Sequence, residues 1–201
     1  MQIDAPLQGL TQFFSLGLVR AAMGLSELAK SPVQLTATEV TIHPVDETAG
    51  SLEPVTDVVT VRQIFGGPVA GDALVILDPK SAARLRKSLT GETSLPLAID
   101  ASAREVLTEV GNTLLNGCLG TFNTVLQLPV SSSVPHISLE AVGGVLDARR
   151  PVREDLHYAL LVRVSLKVRN ADVHGYLILA MSMASLDRLL RAIGEWEQTS
   201  K

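Results

Sequence analysis

The spacing of apolar and polar positions along the chain predicts an alternation of helices and strands. Apolar residues recur at helical spacing in three segments, each predicted to form a helix: 7–29, 101–126 and 185–196. A shorter helix is predicted from Asp78, a suitable N-cap followed by Pro79, to about Leu89, just before Gly91. Alternating or β-branched composition predicts six strands: 34–43, 57–65, 69–77, 136–142, 156–169 and 173–181.

The same order of elements occurs twice, and short sequence matches accompany it. The segment 26–33 aligns with 123–130, 97 positions later, so that Pro32 coincides with Pro129. We interpret 1–201 as a single domain built from two copies of a helix–strands–helix unit, about 1–95 and 96–201. Because short turns connect the strands, antiparallel pairing is expected. The predicted fold class is α/β, with pseudo-two-fold duplicated units and antiparallel sheets packed with long helices.

The second long helix carries a polar stripe at helical spacing. Glu105, Glu109, Asn112 and Asn116 follow one another at intervals of four, three and four residues, which places them on one helix face. An ordinary solvated face would show the same spacing, but such a face usually also contains Lys or Arg. At the offset of 97, Glu109 corresponds to Gln12 and Asn112 to Ser15. The acid–amide pair is therefore expected in the second copy alone.

Composition narrows the class of protein. The chain has 17 basic and 21 acidic residues and no block of like charges, which argues against a nucleic-acid surface. The single cysteine, Cys118, cannot form an internal disulfide, and residues 1–6 lack the basic start of a signal peptide. No apolar run reaches the roughly 18 residues that a membrane span requires. We therefore expect a cytoplasmic protein that does not cross a membrane.

The polar helix resembles a known signature. The CheC/CheX/FliY phosphatases of bacterial chemotaxis have a Glu and an Asn one helical turn apart, followed downstream by a proline. The matching residues here are Glu105-Val106-Leu107-Thr108-Glu109-Val110-Gly111-Asn112-Thr113-Leu114-Leu115-Asn116, with Pro135 downstream. Glu105 stands where the family usually has Asp or Ser, and Pro135 lies one residue farther than usual. Segments 21–28 and 175–179 also resemble the family's first long helix and last strand, and the length and duplication resemble the CheC subtype.

The resemblance implies a function and a division of roles. It implies a hydrolase that removes the aspartyl phosphate of a CheY-like response regulator, with Glu109 and Asn112 as catalytic residues. Glu105 and Asn116, beside that pair, would contact the partner. The family's partner brings the phosphoaspartate, Mg²⁺ and a lysine, so no cofactor or metal bound by this chain is expected. An Asn carboxamide has both a donor and an acceptor and can orient a water, while the Glu would pair with the partner's lysine.

Two other functions remain open at this stage. The main alternative is a non-catalytic adaptor that binds a receiver domain or a CheD-like deamidase, because one copy lacks the pair. A flagellar-switch component of the FliY/FliM type is a third alternative, which the absence of an extension after Trp196 disfavours. Cys118 is expected to be a small core residue. The four histidines, at positions 43, 136, 157 and 174, have no metal-ligand spacing, so a zinc site is not expected.

Overall fold

The structure, a computed structural model, describes residues 7–52, 56–91, 100–141, 144 and 155–199. Its helices are α1 (Leu7–Ala29), α2 (Val45–Thr48), α3 (Pro79–Thr90), α4 (Ala101–Thr124) and α5 (Met183–Thr199). Its strands are β1 (Val33–Pro44), β2 (Asp57–Gly66), β3 (Gly71–Leu77), β4 (Ser131–Ser132), β5 (His136–Ala141), β6 (Tyr158–Val168) and β7 (Ala171–Met181). Among the described helices, none is long and apolar enough to cross a membrane.

The predicted helices and strands are all present. Their ends differ from the prediction by at most three residues, while the short helix α2 and the two-residue strand β4 were not predicted. Two predicted positions lie outside the described residues. They are Val142, the predicted end of the strand at 136–142, and the boundary between the halves at 95–96. Local signals explain the agreement at α3. The Asp78 side chain accepts from the backbone N–H groups of Lys80 and Ser81, and Gly91 ends the helix in the left-handed conformation, with φ of 75°.

All seven strands join one antiparallel sheet, in the order β1-β6-β7-β3-β2, with β5 and the short β4 both pairing with β2. Exchanging β1, β2 and β3 for β5, β6 and β7 maps each long-strand pairing onto another. The pair β1–β6 becomes β5–β2, β2–β3 becomes β6–β7, and β3–β7 maps onto itself. The predicted fold class is therefore confirmed, and the outer strand of each half pairs with a strand of the other half.

The sheet has one face covered by the long helices and a second face with a smaller cluster. On β2, Val59, Val61 and Phe65 belong to the main core under the helices, whereas Val58 belongs to the cluster on the opposite face. This alternation follows from the two-residue period of a strand. Because Gln63 has the same parity as Val61 and Phe65, its side chain lies on the helix-covered face.

Helices α1 and α4 pack side by side through small residues. A β-carbon built on Gly17 would lie 2.8 Å from the Cα of Cys118, and one built on Gly117 would lie 2.8 Å from the Cβ of Ala21. Larger side chains at these two glycines would push the helices apart. The close packing leaves the outward faces of α1 and α4 next to each other on the surface.

Candidate functional site

The structure places the four predicted polar residues on the outward face of α4. Glu105, Glu109 and Asn116 are exposed and Asn112 is half-buried, while the opposite face of the helix is buried in the core. The α4 helix begins at an N-cap, where the Asp100 side chain accepts from the backbone N–H of Ala103 at 2.8 Å. The stripe is thus carried by a capped helix anchored along its whole apolar side.

Asn112 lies at the centre of a small network of side-chain amides. Its Oδ1 accepts a hydrogen bond from Nε2 of Gln63 at 3.1 Å and another from Nδ2 of Asn116 at 2.8 Å. Gln63, on the neighbouring strand β2, is only 2% exposed. The amide of Asn112 is therefore held from both sides, by the strand beneath α4 and by the next turn of its own helix.

The segment before β5 completes this network. The backbone carbonyl of Ser133 accepts from Nε2 of Gln63 at 3.1 Å, and the Ser132 hydroxyl donates to Oδ1 of Asn116 at 3.3 Å. Ser133 is itself joined to β2, because its N–H donates to the carbonyl of Ile64 and its hydroxyl accepts from the Ile64 N–H. Pro135, the proline of the sequence signature, therefore follows the segment that borders the site.

The network defines which way each amide points. The Ser133 carbonyl can only accept, so the group of Gln63 that faces it is the NH₂, which donates to Asn112 Oδ1 as well. Asn116 then presents its NH₂ to the same oxygen and its own Oδ1 to the Ser132 hydroxyl. Both lone pairs of Asn112 Oδ1 are used, and its NH₂ has no protein partner among the described residues. Asn112 consequently offers N–H donors, and not an acceptor, to a ligand.

The two acidic residues of the stripe have no such anchoring. Within the described part of the chain, neither the Glu109 nor the Glu105 carboxylate forms a hydrogen bond or a salt bridge with a side chain. Thr113 donates to the backbone carbonyl of Glu109 at 2.9 Å, and the Glu109 side chain is exposed. Because residues three apart on a helix are neighbours, this carboxylate lies beside the Asn112 amide.

The corresponding positions of α1 form a different surface. Gln12 is exposed, and the Ser15 hydroxyl donates to the backbone carbonyl of Thr11 at 2.7 Å. Three apolar side chains on this outward face are exposed, Leu16 by 42%, Val19 by 57% and Met23 by 66%. The helix that lacks the acid–amide pair therefore presents an apolar stripe in place of the polar one.

Sequence reasoning missed Gln63, Ser132 and Ser133. The helix spacing that identified the stripe gives no information about residues of other elements. One signal was nevertheless present, because Gln63 interrupts the inward-facing apolar series of Val61 and Phe65 with a polar side chain. Buried polar groups of this kind are usually hydrogen-bonded, so such a position indicates a partner.

Cys118 and the histidines form no competing site in the part of the chain that the structure describes. Cys118 is buried, as predicted for a core residue, and burial raises the pKa of its thiol to about 12. At that value the thiolate, which is the reactive form, is scarce at neutral pH. No group of three or more His, Cys, Asp or Glu side chains converges among the described residues.

No family model and no curated protein sequence matches this chain. Solved structures do match it. FliY of Thermotoga maritima has a TM-score of 0.78 at 14% identity, over 100% of both chains. The chain has the same fold as this FliY and as the flagellar and chemotaxis proteins described next. The FliM middle domain of Vibrio alginolyticus has a TM-score of 0.64 at 12% identity, over 90% of this chain and 99% of that one. The chemotaxis protein CheX of Desulfovibrio desulfuricans has 0.51 at 10% identity, over 84% and 99%.

The resemblance to the CheC/CheX/FliY proteins is thus confirmed for the fold. At identities of 10–14% a structural match establishes the arrangement of the backbone and no more. By TM-score the fold is more similar to FliY (0.78) and to the FliM middle domain (0.64) than to CheX (0.51).

Proposed function

We propose that the protein is a phosphatase that hydrolyses the aspartyl phosphate of a CheY-like receiver domain in chemotaxis signalling. The observation that supports this most is the exposed Glu109 carboxylate beside an Asn112 amide whose NH₂ has no protein partner among the described residues. The fold shared with a chemotaxis protein, CheX, is consistent with it. Such a protein would act in the cytoplasm, where receiver domains are found.

The proposed chemistry needs little from this chain beyond positioning. A water oxygen attacks the phosphorus in line with the aspartyl oxygen, the bond from phosphorus to that oxygen breaks, and inorganic phosphate and a free carboxylate result. Asn112 orients the attacking water through an N–H donor to its oxygen, since both acceptor sites of the amide are occupied. No bond forms to this chain, so no covalent intermediate on it is expected.

Glu109 is proposed to dock the receiver. Its carboxylate is exposed and has no partner among the described side chains, so it is available for the receiver's active-site lysine. Glu105 lies one turn before it on the same face and would add a second negative charge to the contact. Asn116 is also proposed to contact the partner, and its amide bonds to Asn112 and Ser132. It therefore supports the site in addition to any contact with the partner.

Mg²⁺ is proposed to come with the receiver. The described residues bring no cluster of metal-binding side chains together, and the stripe offers two carboxylates one turn apart, followed by two amides. The ion, bound by the receiver, would neutralise charge on the transferring phosphoryl group.

Phosphate release from a phosphorylated CheY-like receiver, followed with and without the purified protein, tests this function. We expect the protein to accelerate release and Asn112→Ala to remove most of the acceleration. Ser15→Ala is the matched control, because Ser15 occupies the corresponding position of α1 and its hydroxyl bonds only within its own helix. No acceleration, or equal loss from the two variants, would contradict the proposal.

The exposed stripe of Leu16, Val19 and Met23 favours one alternative, a non-catalytic adaptor. Contiguous exposed apolar side chains often mark a contact surface, here for a receiver domain or a CheD-like deamidase. An adaptor would bind its partner without releasing phosphate. It would lose that binding on Val19→Asp but keep it on Asn112→Ala, as titration calorimetry can determine.

A further inference from the structure

We infer that Gln63 is a positioning residue of the phosphatase site, which fixes the Asn112 amide with its NH₂ facing the receiver. This inference deepens the proposed function and rests on it. It concerns a residue of β2 that does not touch the substrate itself. Its role would be to decide which end of the Asn112 carboxamide meets the attacking water.

The burial of Gln63 argues against a role in packing alone. Its side chain is 2% exposed on the face of β2 that also carries the buried Val61 and Phe65, and its Oε1 is buried with no hydrogen-bond partner in the described structure. A buried acceptor without a partner destabilises a protein, and an apolar side chain of similar size would avoid that penalty. What the amide supplies in return is a pair of donors aimed at two oxygens.

The second of those oxygens makes the arrangement rigid. The Ser133 carbonyl belongs to a segment that is bonded twice to β2. The Ser133 N–H donates to the Ile64 carbonyl, and the Ser133 hydroxyl accepts from the Ile64 N–H. If the Gln63 amide were reversed, its oxygen would face both the Ser133 carbonyl and Asn112 Oδ1, with no proton between them. The backbone of the sheet therefore orients Gln63, and Gln63 orients Asn112.

For catalysis, the Gln63 contact decides which end of the Asn112 carboxamide faces the reacting water. With Oδ1 held by Gln63 and Asn116, a donor faces the reacting water. Without Gln63, rotation of the Asn112 amide would place the acceptor outward for part of the time. A transition state that requires one fixed orientation would then form more slowly, while docking through Glu109 would be unaffected.

Side-chain amide NMR tests the geometry on the isolated protein, independently of any activity. In protein with ¹⁵N-labelled Asn and Gln, we expect the Gln63 NH₂ protons to exchange slowly with water. The Asn112 NH₂ protons should exchange as fast as those of an exposed amide. In Gln63→Leu the Asn112 signals should shift. Slow exchange at Asn112, or fast exchange at Gln63, would overturn the inference.

Kinetics test the consequence. Gln63→Leu is expected to lower the maximal rate of phosphate release about ten- to a hundredfold, with unchanged affinity for the receiver. Thr60→Val is the control, because Thr60 is buried on the opposite face of the same strand. If Gln63→Leu does not fold, Gln63→Met keeps an unbranched side chain of similar length without the donors, and the same loss is expected. A wild-type rate in the Gln63 variant, or an equal loss in Thr60→Val, would overturn the inference.

The proposed phosphatase function and the positioning role of Gln63 can be refuted independently. If the wild-type protein releases no phosphate from any receiver, the proposed function fails, and the NMR measurement still decides whether Gln63 orients Asn112. If the wild-type protein is active and its amide exchange is as expected, but Gln63→Leu retains the full rate, the phosphatase stands and the positioning role is refuted.

Discussion

Gly111 of α4 lies directly against Val61 of β2. A β-carbon built on Gly111 would be 2.5 Å from both Cβ and Cγ1 of Val61, closer than such atoms approach in proteins. The next residue on the helix is Asn112, and the next residue on the same face of the strand is Gln63. The contact between the glycine and the valine therefore brings these two amides within hydrogen-bond distance.

Gly111→Ala is predicted to destabilise the protein and to lower its phosphatase rate. Alanine favours a helix over glycine by about 1 kcal/mol, but overpacking a core typically costs about 1–3 kcal/mol, and here the neighbouring atoms belong to a strand in the middle of the core. Helix α4 must move away from β2, which stretches the bond from Gln63 to Asn112. Urea unfolding and phosphate release from a receiver measure the two effects.

Gly194 offers the matched control for that substitution. It lies inside α5, and a β-carbon built on it meets no atom within 4 Å. Gly194→Ala should therefore raise the free energy of unfolding by up to about 1 kcal/mol and leave activity unchanged. If the Gly111→Ala protein were as stable as Gly194→Ala, a methyl group at position 111 would fit between α4 and Val61, and the prediction would be wrong.

The helices and strands could be predicted because their signals are local. Apolar spacing, the Asp78 cap and the stop at Gly91 lie within the segments that they define. Strand partners are not encoded in this way. The strands β1 and β6 come from different halves and pair in the structure, as do β2 and β5, since pairing across the chain depends on how the two units face each other. The duplication indicated two related units without showing that they share one sheet.

The same distinction between local signals and tertiary packing applies to the candidate site. Glu109 and Asn112 could be found because residues three apart on a helix share a face. Gln63 and Ser133 come from β2 and from the segment before β5, and they reach Asn112 only through tertiary packing. That packing also changes the expected chemistry, because Asn112 alone offers a donor and an acceptor, whereas Asn112 beside Gln63 offers a donor.

The N-cap of α3 should make part of the stability depend on pH. Burial by itself raises the pKa of Asp78. Hydrogen bonds from the side chain and backbone of Ser81 and from the backbone of Lys80 act against it, as does the positive charge of Arg84. Together they hold the pKa below 3.8, the ordinary value for Asp. A lowered pKa means that the charged cap stabilises the folded state above about pH 4. This contribution is lost as the pH falls through the folded pKa.

Two substitutions measure this cap. Asp78→Ala should cost about 1 kcal/mol at neutral pH, the usual effect of losing an N-cap. Asp78→Asn keeps an acceptor without the charge, so its difference from wild type should shrink as the pH is lowered from 6 to 3. Urea unfolding across that range determines both. A difference that grows toward low pH would mean that the Asp78 pKa is raised in the folded protein.

Glu109 and Asn112 are expected to affect different steps. Glu109→Ala should weaken binding to the receiver and reduce the salt dependence of that binding, because the exposed carboxylate contributes a charge pair. Asn112→Ala should lower the maximal rate with nearly unchanged binding, since its amide acts on the water in the transition state. Calorimetric titration at two salt concentrations and rates at saturating receiver separate the two effects. Equal weakening of binding by both variants, without a rate effect, would remove the water-orienting role of Asn112.

Activity is expected to require Mg²⁺, which we propose comes with the receiver and is not bound by this chain alone. A protein site for Mg²⁺ usually combines one or two carboxylates with phosphate oxygens of a substrate, and in the proposed reaction that phosphate would belong to the receiver. Calorimetric titration of Mg²⁺ into the isolated protein should therefore show no stoichiometric binding near physiological concentration. Phosphate release from the mixture with a phosphorylated receiver should stop when EDTA is added and resume with excess Mg²⁺. Glu105→Gln, which removes the second carboxylate of the stripe, should leave this Mg²⁺ requirement unchanged. A tight site on the isolated chain, or hydrolysis that continues under chelation, would place the metal chemistry on this protein and not on its partner.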